Sequence, residues 1–571
     1  MIKSGFYIIT LLWVLVSCGT EKIAMDESDG VSTDEYPYIE HFHKGLRYKT
    51  TNRINEAVLE FEECLKIKQN DDAVYYALSK LELQRGNTLQ SGEYIEKAAE
   101  LDPGNTWYIQ ELAYMYFETA DFEKSVLNFK KLVDIEPRNV DWLYGYAEAL
   151  VNNGEGKKAI EALNKTEDLL GKHPDFSIQK FNLYLELNQK GEAENELLKA
   201  KEFFPKNPQI IAVLVDFYFK NNELEKATIM LEELVVADNS NGRAHLALAD
   251  IYRQRGDMEK SYTELKLAYQ SDDVDLETKI SILSNVNKES QTIDPEIYEI
   301  VDILVNKYPT EGSVYTTQGD FLLRKNDETG ALIAYKKALE FDQSKYEIWR
   351  QVLIMEFQSG DYKELYVDSK ECLNYFPSIS LVYLLNGISS NQLKEYSEAF
   401  DVLTLGKEMV SNDPVMEAEF HGQLGEALFG LNEISDAIKS YQKAIQKAPD
   451  SRLIKNNFAL RLATHKVELE MAESLIKQVV AEAPDRAEYI DTYGWVYFQQ
   501  GKYAEALLKF DAAYQLYQKD KIIVEHIGDA MMLLGKKEQA VEWWTKALSM
   551  AGEDKELEKK IADKKYYESA K

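Results

Sequence analysis

One spacing governs what this 571-residue chain can fold into: a small residue recurs every 34 positions. Ala472, Ala506 and Ala540 stand 34 residues apart. Going back, the same slot holds Ala437, Ala399, Ala331, Ala227, Ala193, Ala159 and Ala57. Most intervals are 34 or a multiple of it, and three run over by one to four residues. A second slot, that of Gly494, holds Gly45, Gly319, Gly387, Gly425 and Gly528. Pro103, Pro137, Pro205, Pro309, Pro377, Pro449 and Pro484 close successive units. A period this short describes one supersecondary unit that cannot bury its apolar face alone, so its neighbours must stack on it.

The unit is clearest from Ala487 to Gln518. Ile490, Tyr493, Gly494 and Tyr497 fall at i, i+3, i+4 and i+7, one face of a helix. Gln500-Gly501 interrupts the pattern, and a second helix carries Ala506, Phe510 and Ala513 on one stripe. A small residue in each helix lets the pair approach closely, and the proline stops the second helix. A 34-residue helix–turn–helix unit with these slots resembles the tetratricopeptide repeat. The resemblance runs from about Tyr38 to Gly552. It implies an all-α fold, a right-handed superhelical solenoid of about 14–15 repeats. Units are expected to begin near Tyr38, Asp72, Thr106, Val140, Pro174, Pro208, Gly242, Thr278, Gly312, Tyr346, Ser380, Ala418, Leu453, Ala487 and Lys521. One of them, over 272–296, has neither small slot. It reads either as a loosened joint between two arms or as an ordinary repeat that has lost its consensus letters. The expected organisation is therefore a signal segment (1–17), a tether (18–37), an N-terminal arm (38–272), a joint (273–308), a C-terminal arm (309–552) and a charged, solvating cap (553–571).

The N-terminus carries a second resemblance. Phe6 to Val16 is an apolar run of 11 residues after a short positive start, the right size for a signal-peptide core and too short to span a bilayer. It ends Leu15-Val16-Ser17-Cys18-Gly19, which resembles a bacterial lipobox. The resemblance implies cleavage before Cys18, lipidation of its thiol and a stable multi-chain anchor. An ordinary secretory signal with a chance cysteine is the alternative. Gly19, rather than Asp, after the cysteine resembles an outer-membrane sorting pattern and implies a lipid anchor in that membrane of the cell envelope. Gly19 to Glu35 is polar and acidic without periodicity, and is expected to be a disordered tether.

A formal charge of −32, from 98 acidic and 66 basic residues, sets nucleic acid aside as a partner, because phosphate would be repelled. The residues with catalytic or metal-binding potential fall into repeat slots. Cys64 and Cys372 both occupy the slot of Ala513, where a small buried residue belongs. His41, His245 and His421 share the slot of Ile490, which points to packing rather than to a metal. Asn153 to Lys158 ends like a phosphate loop but lacks the leading glycine and the Ser/Thr after Lys. No catalytic residue, metal site or cofactor is expected.

The positive signal is the face that the resemblance assigns to the concave groove. In the unit at Ala487 the groove slots hold Asp491, Trp495, Phe498 and Gln499. In the unit at Thr106 they hold Gln110, Tyr114, Phe117 and Glu118, with Trp107 one turn earlier, and the next unit adds Tyr144 and Glu148. The expected partner-binding residues are Trp107, Tyr114, Phe117 and Tyr144, with Asp491, Trp495 and Phe498 as a second surface. An aromatic, acidic groove suits an extended or helical peptide of basic character. The carboxylate-clamp pattern of repeats that bind chaperone C-termini is missing, since only Asn182 matches it. The expectation is a membrane-anchored scaffold or adaptor for envelope proteins, in assembly, secretion or envelope maintenance. A holdase-type chaperone and an accessory subunit of an envelope enzyme remain rivals. Against the enzyme, no stretch of about 100 residues, the size of a small domain, is left over.

Overall fold

The structure, a computed structural model, describes residues 35–568. Cys18, the signal segment and the tether up to residue 34 lie outside the described residues. The described residues form 31 α-helices and no strand. In chain order thirty of the helices alternate as first and second helices of fifteen successive units, and each first helix begins within four residues of its expected place. The chain divides into two compact units, Met1–Ile251 and Tyr252–Lys571. The division falls inside the helix Gly242–Gln254, ahead of the stretch 273–308.

Local chemistry sets the helix ends. Asx side chains cap many first helices: Asp71 accepts from the Val74 N–H at 3.1 Å, Asn139 from Trp142 at 3.2 Å and Asn207 from Ile210 at 3.0 Å. The turn inside a pair needs one left-handed residue, such as Gly501 at φ +77° or Asn432 at φ +64°. The prolines fall just after the second helix, as Pro103 follows Thr88–Leu101 and its cap residue Asp102.

The slots are core positions. All ten alanines of the 34-residue series are 0% exposed. Each glycine of the second series makes room for a large side chain 16 positions later. A Cβ on Gly494 would lie 2.6 Å from Phe510, and one on Gly528 2.5 Å from Trp544. The interval that overruns the period most, between Ala399 and Ala437, is absorbed by a first helix of 17 residues, Pro414–Gly430, where Ala487–Gln499 has 13.

The stretch without consensus letters still forms two helices, Leu276–Glu289 and Pro295–Lys307, with Leu283, Ile300 and Leu304 fully buried. The expected cap is a helix with an exposed, charged outer face, and its inner face is packed. The helix, Lys555–Asp563, buries Leu557 completely, and the Lys560 side chain is 1% exposed. Lys560 Nζ lies 2.8 Å from both Asp529 and Glu525, so the cap is pinned to the last pair through a buried cation.

Candidate partner-binding groove

Two neighbouring first helices in the first unit, Thr106–Glu118 and Val140–Asn152, frame a cavity of about 620 Å³. Trp107, Gln110, Tyr114, Trp142, Tyr144 and Glu148 line it, together with Glu136, Asn139 and Asp141. Trp107 sits in the first helical turn, held by its N–H to the Asn105 cap at 3.1 Å. Tyr108 and Ile109 take the buried side of that turn, which leaves the indole 66% exposed. Tyr114 is 42% exposed and rests edge-on against Phe129, 5.1 Å between ring centroids. The floor is Trp142, whose indole N–H donates to Gln110 Oε1 at 2.9 Å. Tyr144 is half-buried, and its hydroxyl accepts from Gln179 at 3.4 Å. Gly145 keeps the floor low, because a Cβ there would meet Phe129 at 2.5 Å.

The electrostatics have one sign. Glu136, Asp141 and Glu148 line the cavity, and none of the lining residues is Lys, Arg or His. Burial, with Asp141 and Glu148 adding to it, pushes the Tyr114 phenol above its ordinary range. Aromatic faces beside unneutralised carboxylates favour a cationic group, by cation–π attraction and by charge-assisted hydrogen bonding.

Of the expected groove residues, Trp107, Tyr114 and Tyr144 come together here, and Phe117 does not. Phe117 lies one turn beyond Tyr114, turned into the core, where it meets Phe122 edge-on at 5.7 Å. The second expected surface is also corrected. Asp491 is 8% and Phe498 4% exposed. Both Asp491 oxygens lie 3.0 Å from His526 Nδ1, and Trp495 stacks on His526 at 4.5 Å and on Phe498 at 5.1 Å. Burial opposes a charge on His526, but the Asp491 carboxylate outweighs it and raises the imidazole pKa. The imidazole of the next repeat packs over Asp491 and Trp495 and closes that side of the cluster. Trp142, Glu136, Asn139 and Asp141 were not expected at the site. Trp142 occupies a core-like position, and Glu136 and Asn139 belong to the loop between repeats. The Pro137-x-Asn139 cap signal, which fixes that loop, was the one clue to them.

Cys64 and Cys372 are fully buried, and burial pushes their thiols up to about 11 and about 12. His245 is buried, and His41 Nδ1 lies 2.6 Å from Glu60. Three carboxylates, Glu356, Glu364 and Asp368, converge in the second unit. The Lys336 ammonium lies 2.6, 2.8 and 2.9 Å from them and takes the place of a cation. Among the described residues no helix is long and apolar enough to cross a membrane.

Comparison with known proteins bears on the fold. Three family models described as tetratricopeptide repeat match residues 35–175, 418–451, and 469–521 with 492–554. No curated protein sequence matches the chain. Among solved structures, yeast Tom70 is 16% identical, with 93% of this chain and 96% of that chain covered at a TM-score of 0.33. The APC/C hetero-tetramer Cut9-Hcn1 is 14% identical, with 88% and 97% covered at 0.33. MamA is 20% identical over 29% of this chain and 92% of its own, at 0.26. The repeat slots, the alternating first and second helices and the matched stretches agree: the chain carries tetratricopeptide repeats in both of its compact units, on an all-α scaffold of the kind that serves protein–protein interaction.

Proposed function

We propose that the protein is a non-catalytic adaptor of the cell envelope. It is anchored in the outer membrane through a lipidated Cys18 and binds partner proteins through the groove between Thr106 and Glu148. The observation that carries the reading is the cavity itself. Two exposed aromatic side chains, Trp107 and Tyr114, stand beside Glu136, Asp141 and Glu148 with no cation in the lining. Solvent-exposed Trp and Tyr are the side chains from which interface hot spots are made. The carboxylates select a segment bearing Lys or Arg and speed its encounter, so binding weakens as salt rises. The anchor reading rests on the sequence Leu15-Val16-Ser17-Cys18-Gly19.

A photo-crosslinking amino acid at position 114, in intact cells, tests the groove. The reading predicts capture of a protein whose cross-linked segment is rich in Lys or Arg. Capture from position 127, an exposed leucine on the neighbouring second helix, should give little of the same product. Equal capture from both positions, or a cross-linked segment without basic residues, contradicts it.

A further inference from the structure

The surface expected to be a second open groove is covered in part by the chain's own segment 564–568. After the helix Lys555–Asp563 the chain turns at Lys564, φ +50°, and runs back across the preceding repeats. Tyr566 meets Phe498 edge-on at 5.5 Å and lies over Lys560 Nζ at 5.4 Å. Two residues on, the Glu568 carboxylate pairs with Lys466 at 2.9 Å, across 102 positions of sequence. Lys466 sits in the turn between Arg452–Thr464 and Leu469–Glu482, two pairs before the last.

The holding forces are unequal along this segment. Lys560, in the helix, is 1% exposed and bound by two carboxylates, so the helix is fixed. Beyond Lys564 the hold on the preceding repeats consists of the half-buried Tyr566 ring and one ion pair whose side chains are each 47% exposed, while the Tyr567 hydroxyl, donating to Asp563 at 2.7 Å, and the Lys565 N–H, donating to the Lys560 carbonyl at 3.3 Å, tie the segment only to the cap helix. Pairs exposed to that degree contribute little. The segment stays in place because the fixed helix delivers it at high local concentration. The covered surface offers an aromatic seat at Phe498 and a cation at Lys466, so what it accepts is an aromatic side chain followed by a carboxylate two positions later.

We propose that the surface from Lys466 to Phe498 is a peptide-docking site occupied in cis by the chain's own segment 564–568, and that a partner segment of the same aromatic-then-acidic chemistry exchanges with it. This site takes the opposite charge from the groove of the first unit and stands or falls independently of it.

The test uses the full chain and a fluorescent peptide of residues 562–568 added in trans. The wild type should bind it weakly. Tyr566→Ala with Glu568→Ala should bind it at least tenfold more tightly, and adding Lys466→Glu should reduce that gain. Circular dichroism and an unchanged amide-exchange pattern in Lys555–Asp563 would show that the cap remains folded. A charge swap gives an independent arm: Glu568→Lys alone should open the site, and Glu568→Lys with Lys466→Glu should close it again. Equal peptide affinity for the wild type and the opened variant overturns the proposal, as does absent binding to both. Concentration-dependent dimerisation of the wild type that Tyr566→Ala abolishes overturns the assignment in cis, since the segment would then be exchanged between copies.

Discussion

At the scale of single residues, the most informative side chain is Glu356. It is fully buried among Lys336, Glu364 and Asp368. Burial, with Asp368 beside it, pushes its carboxyl up to about 8 from a starting value of 4.5. The folded state therefore holds this proton more tightly than the unfolded chain does. The resulting stability is complete below pH 4.5 and is lost as the pH rises through about 8. Glu356→Gln, which cannot ionise, should behave like the wild type near pH 4.5. At pH 8.5 it should be more stable by on the order of a few kcal/mol. Amide exchange in the helix Tyr346–Ser359 at the two pH values measures it, and identical pH trends in both proteins would contradict the assignment. This cluster was not legible in the sequence. Lys336 and Glu356 belong to neighbouring repeats and look like ordinary surface charges until stacking brings them together. The same limit explains Phe498 and Asp491: their slot faces a groove, but the cover comes from His526 and Tyr566, each more than 25 positions away in the chain. Trp107 and Tyr114 were legible because their exposure depends only on the phase of their own helix.

At the scale of helices, stability rests on close approach within each pair. Gly528→Ala should cost about 1–3 kcal/mol, the range for overpacking a tight core. Its Cβ would lie 2.5 Å from Trp544 Cδ1 and 3.2 Å from the Ala540 carbonyl oxygen, and the indole cannot withdraw without breaking its 2.8 Å hydrogen bond to Asp529. Faster amide exchange confined to Lys521–Leu533, Lys537–Ala551 and their packing partners is expected, because each repeat leans only on its neighbours. Loss of protection over 35–251 as well would contradict this. Helix positions were the most readable part of the chain. The small slots, the Asx caps and the prolines each act within one unit, so spacing alone carries them. What the spacing could not carry was the role of the cap: a charged tail reads as solvating until a buried partner for Lys560 appears.

At the scale of the whole molecule, the proposed adaptor combines a lipid anchor at Cys18 with a groove for a basic segment. The anchor makes its own prediction: Cys18→Ser should leave an unprocessed precursor that takes up no labelled fatty acid, and label retained on that variant would place the lipid elsewhere. The array's claim is tested most directly by the double substitution Trp107→Ala with Tyr144→Ala, measured as affinity for the partner segment cross-linked at position 114. Both side chains line the cavity, and neither occupies one of the small-residue core slots, so the fold should persist. Loss of a central aromatic anchor typically costs about 2 kcal/mol or more. The account predicts an affinity at least tenfold weaker at low salt, with circular dichroism unchanged. A well-folded double variant that binds the segment at wild-type strength would contradict it.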